Sequence, residues 1–252
     1  MTVWLYTLAS VTIVSLISLI GVFTLTIKPD RLKGMVLSMV SFAVGGLFGD
    51  ALIHLIPESF EQLGSGPITS LLIVFGLLLF FVLEKFLRWQ HCHIPSSSNH
   101  IHPVATLNLV GDAVHNLMDG VIIAIGFSTN IPIGIATTLA VIFHEIPQEI
   151  GDLGILIHNG LSVQRALTLN ALSALTAFIG AILALLIGPH VAGFTAYCLP
   201  ITAGGFLYIA GSDLIPELHH GEDVRLSTSL RQLAFIMLGI AIMALLVVWE
   251  HN

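Results

Sequence analysis

Polar positions along the 252-residue chain collect in a few narrow clusters, and between them lie runs of mostly apolar residues. A helix rising about 1.5 Å per residue crosses the hydrocarbon core of a bilayer in about 20 residues. Eight runs have that length, and they predict helices over 2–27 (α1), 34–60 (α2), 66–87 (α3), 105–128 (α4), 132–157 (α5), 162–188 (α6), 193–216 (α7) and 231–250 (α8). The runs are long and continuous, which excludes the short alternating strands of a transmembrane barrel. The expected fold is an all-α, multi-pass integral membrane protein, a single transmembrane domain over 1–252. The run at 2–27 has no basic leader and is too long for a signal-peptide core, so it reads as a retained first span.

Composition agrees. Hydrophobic residues make up 56% of the chain and charged ones 9%, with a mean hydropathy of +0.97, which excludes a soluble globular domain. The net charge of -7 carries no basic footprint for nucleic acid. Cys92 and Cys198 lack CxxC spacing, so neither a disulfide framework nor a zinc ribbon is indicated. The eight basic residues, Lys28, Arg31, Lys33, Lys85, Arg88, Arg165, Arg225 and Arg231, all fall in or beside connections 1–2, 3–4, 5–6 and 7–8. By the positive-inside rule those connections are cytoplasmic and both termini face outward.

An internal echo refines the architecture. Gly45–Ser59 (GGLFGDALIHLIPES) and Gly204–Leu218 (GGFLYIAGSDLIPEL) align without gaps on α2 and α7, pairing His54 with Asp213, Pro57 with Pro216 and Glu58 with Glu217. An odd number of spans separates equivalent elements, so the copies run in opposite directions, as in transporters built from inverted repeats. The predicted layout is three helices, a central pair and three helices. Glycine also packs helices closely for structural reasons alone.

The central pair carries the chemistry. On α4, Asp112, His115, Asn116 and Asp119 occupy i, i+3, i+4 and i+7 and share one narrow face. On α5, His144, Glu145, Gln148, Glu149 and Asp152 fall within roughly 140° of one another by the same geometry. Each acid at a helix centre costs about 2.5–3.5 kcal/mol on insertion scales, while each large aliphatic residue returns about 0.3–0.6. The two faces must therefore point inward and meet. Neither helix holds a lysine or arginine, so the balancing positive charge comes from protons or a bound cation. Imidazole with carboxylate suits zinc, iron(II) or manganese. Pro147 removes a backbone bond inside α5 and frees the carbonyl of Phe143. A zinc-protease HExxH reading fails, because Gln148 stands at its second histidine.

HNLMDG on α4 and HEIPQEIGD on α5 together resemble the two signature motifs of the ZIP (Zrt-, Irt-like protein) family of divalent metal transporters, nearest the subfamily whose α5 reads HExPHExGD. The resemblance covers the whole chain. It implies a 3+2+3 inverted-repeat fold, commonly a homodimer, moving Zn2+ and related ions such as Fe2+ or Mn2+ toward the cytoplasm, with the metal as cargo and no cofactor. It implies that His115, Asp119 and His144 line one metal position, and that Asn116 and Glu145, sharing Asp119, line a neighbouring one. Gln148 stands where that subfamily has a ligating histidine. Ala177, on a face of α6 with Asn170 and Ser173, stands where some relatives carry a bridging carboxylate. Glu149 and Asp152 read as supporting or proton-handling groups, with Asp112 beside them.

A path extends from this centre. Asp50, His54 and Glu58 lie toward the external mouth; Asp213, Glu217, His219 and His220 lie toward the cytoplasm, and His158 extends the exit or is simply solvated. The connection at about 88–104 holds His91, Cys92, His93, His100 and His102, a weak metal-binding tract or a flexible linker. The short loops fit a compact plasma (inner) membrane protein. The alternative function is a proton-coupled cation exchanger or channel whose intramembrane acids form a proton relay.

Overall fold

A computed structural model describes residues 1–24, 29–89, 103–219 and 226–250. Every regular element among them is helical. Eight helices are long and apolar enough to span a membrane: α1 Thr2–Phe23, α2 Gly34–Leu63, α3 Pro67–Lys85, α4 Asn108–Thr129, α5 Ile131–Ile157, α6 Val163–His190, α7 Phe194–His219 and α8 Leu226–Val248. They match the expected spans to within a few residues. The differences lie at the ends, where helix continues into polar turns that hydropathy does not count; α2, for example, is helical from Pro29.

Burial sorts the eight into an inner and an outer set. Half or more of the apolar stretch is buried in α2, α4, α5 and α7, against 17% in α3 and 11% in α8. The outer helices therefore present their leucines and phenylalanines to lipid, and the polar faces of α4 and α5 are enclosed. Asn130 caps α5, its side chain accepting from the Ile133 amide at 2.7 Å, so the α4–α5 connection is one tight turn and the pair is antiparallel.

Glycines set the closest helix contacts. A Cβ on Gly45 would meet the Ile236 carbonyl oxygen at 2.0 Å, and one on Gly204 would meet that of Ile73 at 2.0 Å. Backbones touch only where no side chain intervenes. The two glycines paired in the sequence echo thus perform the same task, seating α2 on α8 and α7 on α3. The echo continues beyond them. Asp50–Leu55 and Ile209–Leu214 are both π-helical, at matched positions, and each ends two residues before its proline, Pro57 or Pro216. A proline has no N–H to donate and its ring clashes with the carbonyl four residues back; a wider turn relieves both. The first half of α7 lies against the end of α2, and the end of α7 against the start of α2, so the two helices run antiparallel.

Candidate metal centre

One turn of α4 and one of α5 meet at the middle of the bundle. His115, Asp119, His144 and Glu145 each turn one donor atom inward, and the four atoms lie within 4.8 Å of one another. His115 Nε2 is 3.1 Å from His144 Nε2, 3.3 Å from Glu145 Oε1 and 3.7 Å from Asp119 Oδ2. His144 Nε2 is 3.5 Å from Asp119 Oδ2 and 3.7 Å from Glu145 Oε1. A tetrahedron with bonds of 2.0–2.1 Å has edges of about 3.3–3.4 Å, so these five separations lie close to the edges of a tetrahedral cage of two nitrogens and two oxygens for a first-row cation.

The donors are aimed by their surroundings. His144 Nδ1 lies 3.0 Å from the Ala140 carbonyl, which can only accept, so the proton sits on Nδ1 and Nε2 offers its lone pair to the cage. Asp119, His144 and Glu145 are fully buried, whereas the His115 side chain is 18% exposed. Apart from the two imidazoles, neither carboxylate meets a hydrogen-bond donor among the described residues, an arrangement whose cost in a buried site a cation relieves.

The other residues expected here take distinct places. Asn116 turns back along α4 and donates to Asp112 Oδ1 at 2.9 Å, leaving its own carbonyl oxygen buried and unbonded. Gln148 lines the same space as His115, next to the cage. α6 supports the acids: Ser173 donates to Asp112 and Asn170 to Glu149. Ala177 is fully buried against Gly120, its carbonyl 1.9 Å from where a Cβ on that glycine would stand. Asn108 donates to Asp152 at 3.0 Å.

His115 opens onto a cavity of about 570 Å3. Its walls come from the start of α2, the end of α3, the start of α4, the end of α5 and the end of α7, and include Glu84, Asp112, Asp152, Asp213 and Glu217. Those are the helix ends that lead into the basic connections. On the opposite side, Asp50 and His54 form a buried pair, Nδ1 to Oδ1 3.4 Å, away from the cage. Glu58 bonds Gln62 at 2.7 Å, and His219 is exposed. His91, His93, His100, His102 and His220, with Cys92, lie outside the described residues, as does the His158 side chain.

Two wall residues have no precedent in the sequence reading. Tyr208 of α7 donates its hydroxyl to the Glu84 carboxylate of α3. Glu84 sits beside Lys85 and reads as an interfacial charge. The signal for Tyr208 was the echo itself, which pairs it with Gly49 and so marks a difference between the copies.

A multi-pass helical protein whose buried cage of two imidazoles and two carboxylates opens to one side is a metal-handling membrane protein. Comparison with known proteins narrows this. The family described as "ZIP Zinc transporter" matches residues 1–105 and 90–247. The chain is similar to the zinc transporter zipt-7.1 of Caenorhabditis briggsae, 30% identical across 96% of this chain and 78% of that one. It is 31% identical to the zinc transporter YKE4 of Saccharomyces cerevisiae over 87% of this chain and 73% of that one. With the zinc transporter ZIP13 of Pongo abelii it shares 33% identity over 91% and 75%. The chain belongs to the ZIP family.

Proposed function

We propose that this protein carries a divalent transition-metal cation, Zn2+ foremost and Fe2+ or Mn2+ as alternatives, across the membrane toward the cytoplasm. The observation that carries the reading is the four-donor cage, whose donor separations suit a tetrahedral first-row ion. Two carboxylates neutralise the cation, so the loaded site costs far less to bury than a bare charge. His115, Asp119, His144 and Glu145 are the primary ligands in this reading; Asn116 and Gln148 complete the coordination during loading or release, and Asp112, Glu149 and Asp152 support it. Transport, not hydrolysis, is what family membership and Gln148 in place of a second HExxH histidine both support.

Transport proceeds by alternating access in a 3+2+3 inverted repeat with both termini outside. The matched glycines, the matched π-helical turns and the antiparallel packing of α2 on α7 support the repeat. Under that topology the cavity beside His115 faces the cytoplasm, so the conformation described is the releasing one. Asp50 and His54 then belong to the closed external route, and Asp213, Glu217, His219 and His220 to the exit. The working unit is a homodimer in the plasma (inner) membrane, and the 88–104 loop histidines collect metal on the cytoplasmic side.

Uptake of Zn2+, Fe2+, Mn2+ and Cd2+ into liposomes holding the purified protein tests this. Saturable accumulation of at least one metal, competed by the others, is expected. Proton movement with no metal movement would replace the reading with a proton relay.

A further inference from the structure

We propose that the start of α2 and the start of α8 form a binding site for one anionic phospholipid. The two helices run parallel and clamp together through glycine: a Cβ on Gly239 would lie 2.4 Å from the Phe42 carbonyl oxygen, and one on Gly49 would strike Met243 at 2.7 Å. Before this crossing they enclose a groove of about 830 Å3. Gly34, Met35, Ser38, Met39 and Phe42 line it from α2, and Arg231, Phe235 and Leu238 from α8.

Its dimensions and chemistry fit an acyl chain beneath a phosphate. From Gly34 to Phe42 the α2 wall rises about 12 Å, most of one leaflet of a hydrocarbon core about 30 Å thick. Small residues hollow the wall: nothing lies within 4 Å of a Cβ on Gly34. The Ser38 hydroxyl is satisfied internally, donating to the Gly34 carbonyl at 3.0 Å, so the wall asks for no water. Arg231 is the one charged side chain among the described lining residues. It stands in the second turn of α8, near the headgroup level. In the sequence, Lys28, Arg31 and Lys33 fall within six positions before Gly34, and Arg225 falls six positions before Arg231, so the stretches leading to the groove are rich in basic residues. The amino-terminal ends of both helices add positive dipole there. A basic pocket between helices at the membrane surface is the setting in which anionic headgroups are held.

The site does not depend on the transport reading. Its test is lipid retention: protein purified from an equimolar mixture of phosphatidylglycerol and phosphatidylcholine with identical acyl chains, with bound lipids counted by native mass spectrometry. Wild type should retain one tightly held lipid with phosphatidylglycerol favoured about fivefold, the scale of one basic contact at the surface. Arg231→Gln should erase that preference, while Arg165→Gln, an exposed arginine on α6, should keep it. Ser38→Phe should fill the groove and lose the lipid whatever its headgroup. A preference unchanged in Arg231→Gln, or lost equally in Arg165→Gln, would overturn the proposal. So would a lipid-free dimer that Ser38→Phe dissociates, since a second copy would then be the occupant.

Discussion

His115 Nε2 and His144 Nε2 face each other at 3.1 Å across the α4–α5 contact. Ala140 already takes the Nδ1 proton of His144, so without metal the hydrogen between the two facing nitrogens belongs to His115, and a cation bound to both must displace it. A neutral His115 keeps that proton by moving it to Nδ1, so protons released into a weakly buffered solution on zinc binding count the imidazolium and protonated carboxyl forms that the metal replaces. Because imidazole ligands must be deprotonated, protons compete increasingly with the metal as pH falls, and uptake should decline from pH 7.5 to 5.5. A flat profile over that range would count against imidazole ligation.

Asp119 is within 3.7 Å of one histidine nitrogen and 3.5 Å of the other. Asp119→Ala should weaken Zn2+ binding by more than about 100-fold, since outer partners of metal ligands are alone worth about 10–100-fold. Calorimetric titration of the purified variant measures it; near-normal affinity in a folded variant would remove Asp119 from the ligand set.

Gln148 supplies a neutral amide beside the cage, where an imidazole would add a nitrogen donor. Gln148→His should shift uptake toward Zn2+ relative to Mn2+. Competition between the two ions in liposomes reads the ratio, and an unmoved ratio would show that Gln148 does not set preference.

Gly45 seats α2 on α8 with no room for a methyl group. Gly45→Ala should cost about 1–3 kcal/mol through overpacking, visible as a lower unfolding temperature in detergent. Gly154→Ala, where nothing lies within 4 Å of the new Cβ, should be neutral or stabilising because alanine favours helix. Equal behaviour of the two variants would contradict the contact.

Tyr208 holds Glu84 at the wall of the cavity beside His115. Tyr208→Phe should leave Zn2+ affinity at the cage intact and slow uptake, with a stability loss of about 1.5–3 kcal/mol for a hydrogen bond to a charged group. Glu84→Gln should not add fully to it in a double-mutant cycle; full additivity in both uptake and stability would mean the two act separately.

Eight spans and the meeting of two polar faces were legible because insertion energetics leave few choices: long apolar runs must cross the membrane, and acids without basic partners must face inward. His115, Asp119, His144 and Glu145 followed from helical spacing and motif resemblance. The hydrogen bond from Asn116 to Asp112 was not legible, because it depends on which partner the amide finds once the helix has formed. Nor was the bond between Tyr208 and Glu84, which joins residues 124 positions apart whose contact exists only once α7 lies on α3. The π-helical turns were half visible: LIPE announced the prolines but not how the backbone before them would widen.

The cage offers two carboxylates to a divalent ion, which bears on membrane voltage. Loaded, it is close to electroneutral, so the potential does little work on any step that carries it across. Vacated, with both carboxylates ionised, it bears two negative charges, each worth about 2.3 kcal/mol per 100 mV if it traverses the whole field. A cell interior held negative would thus leave delivery almost untouched and drive the empty site back toward the outside.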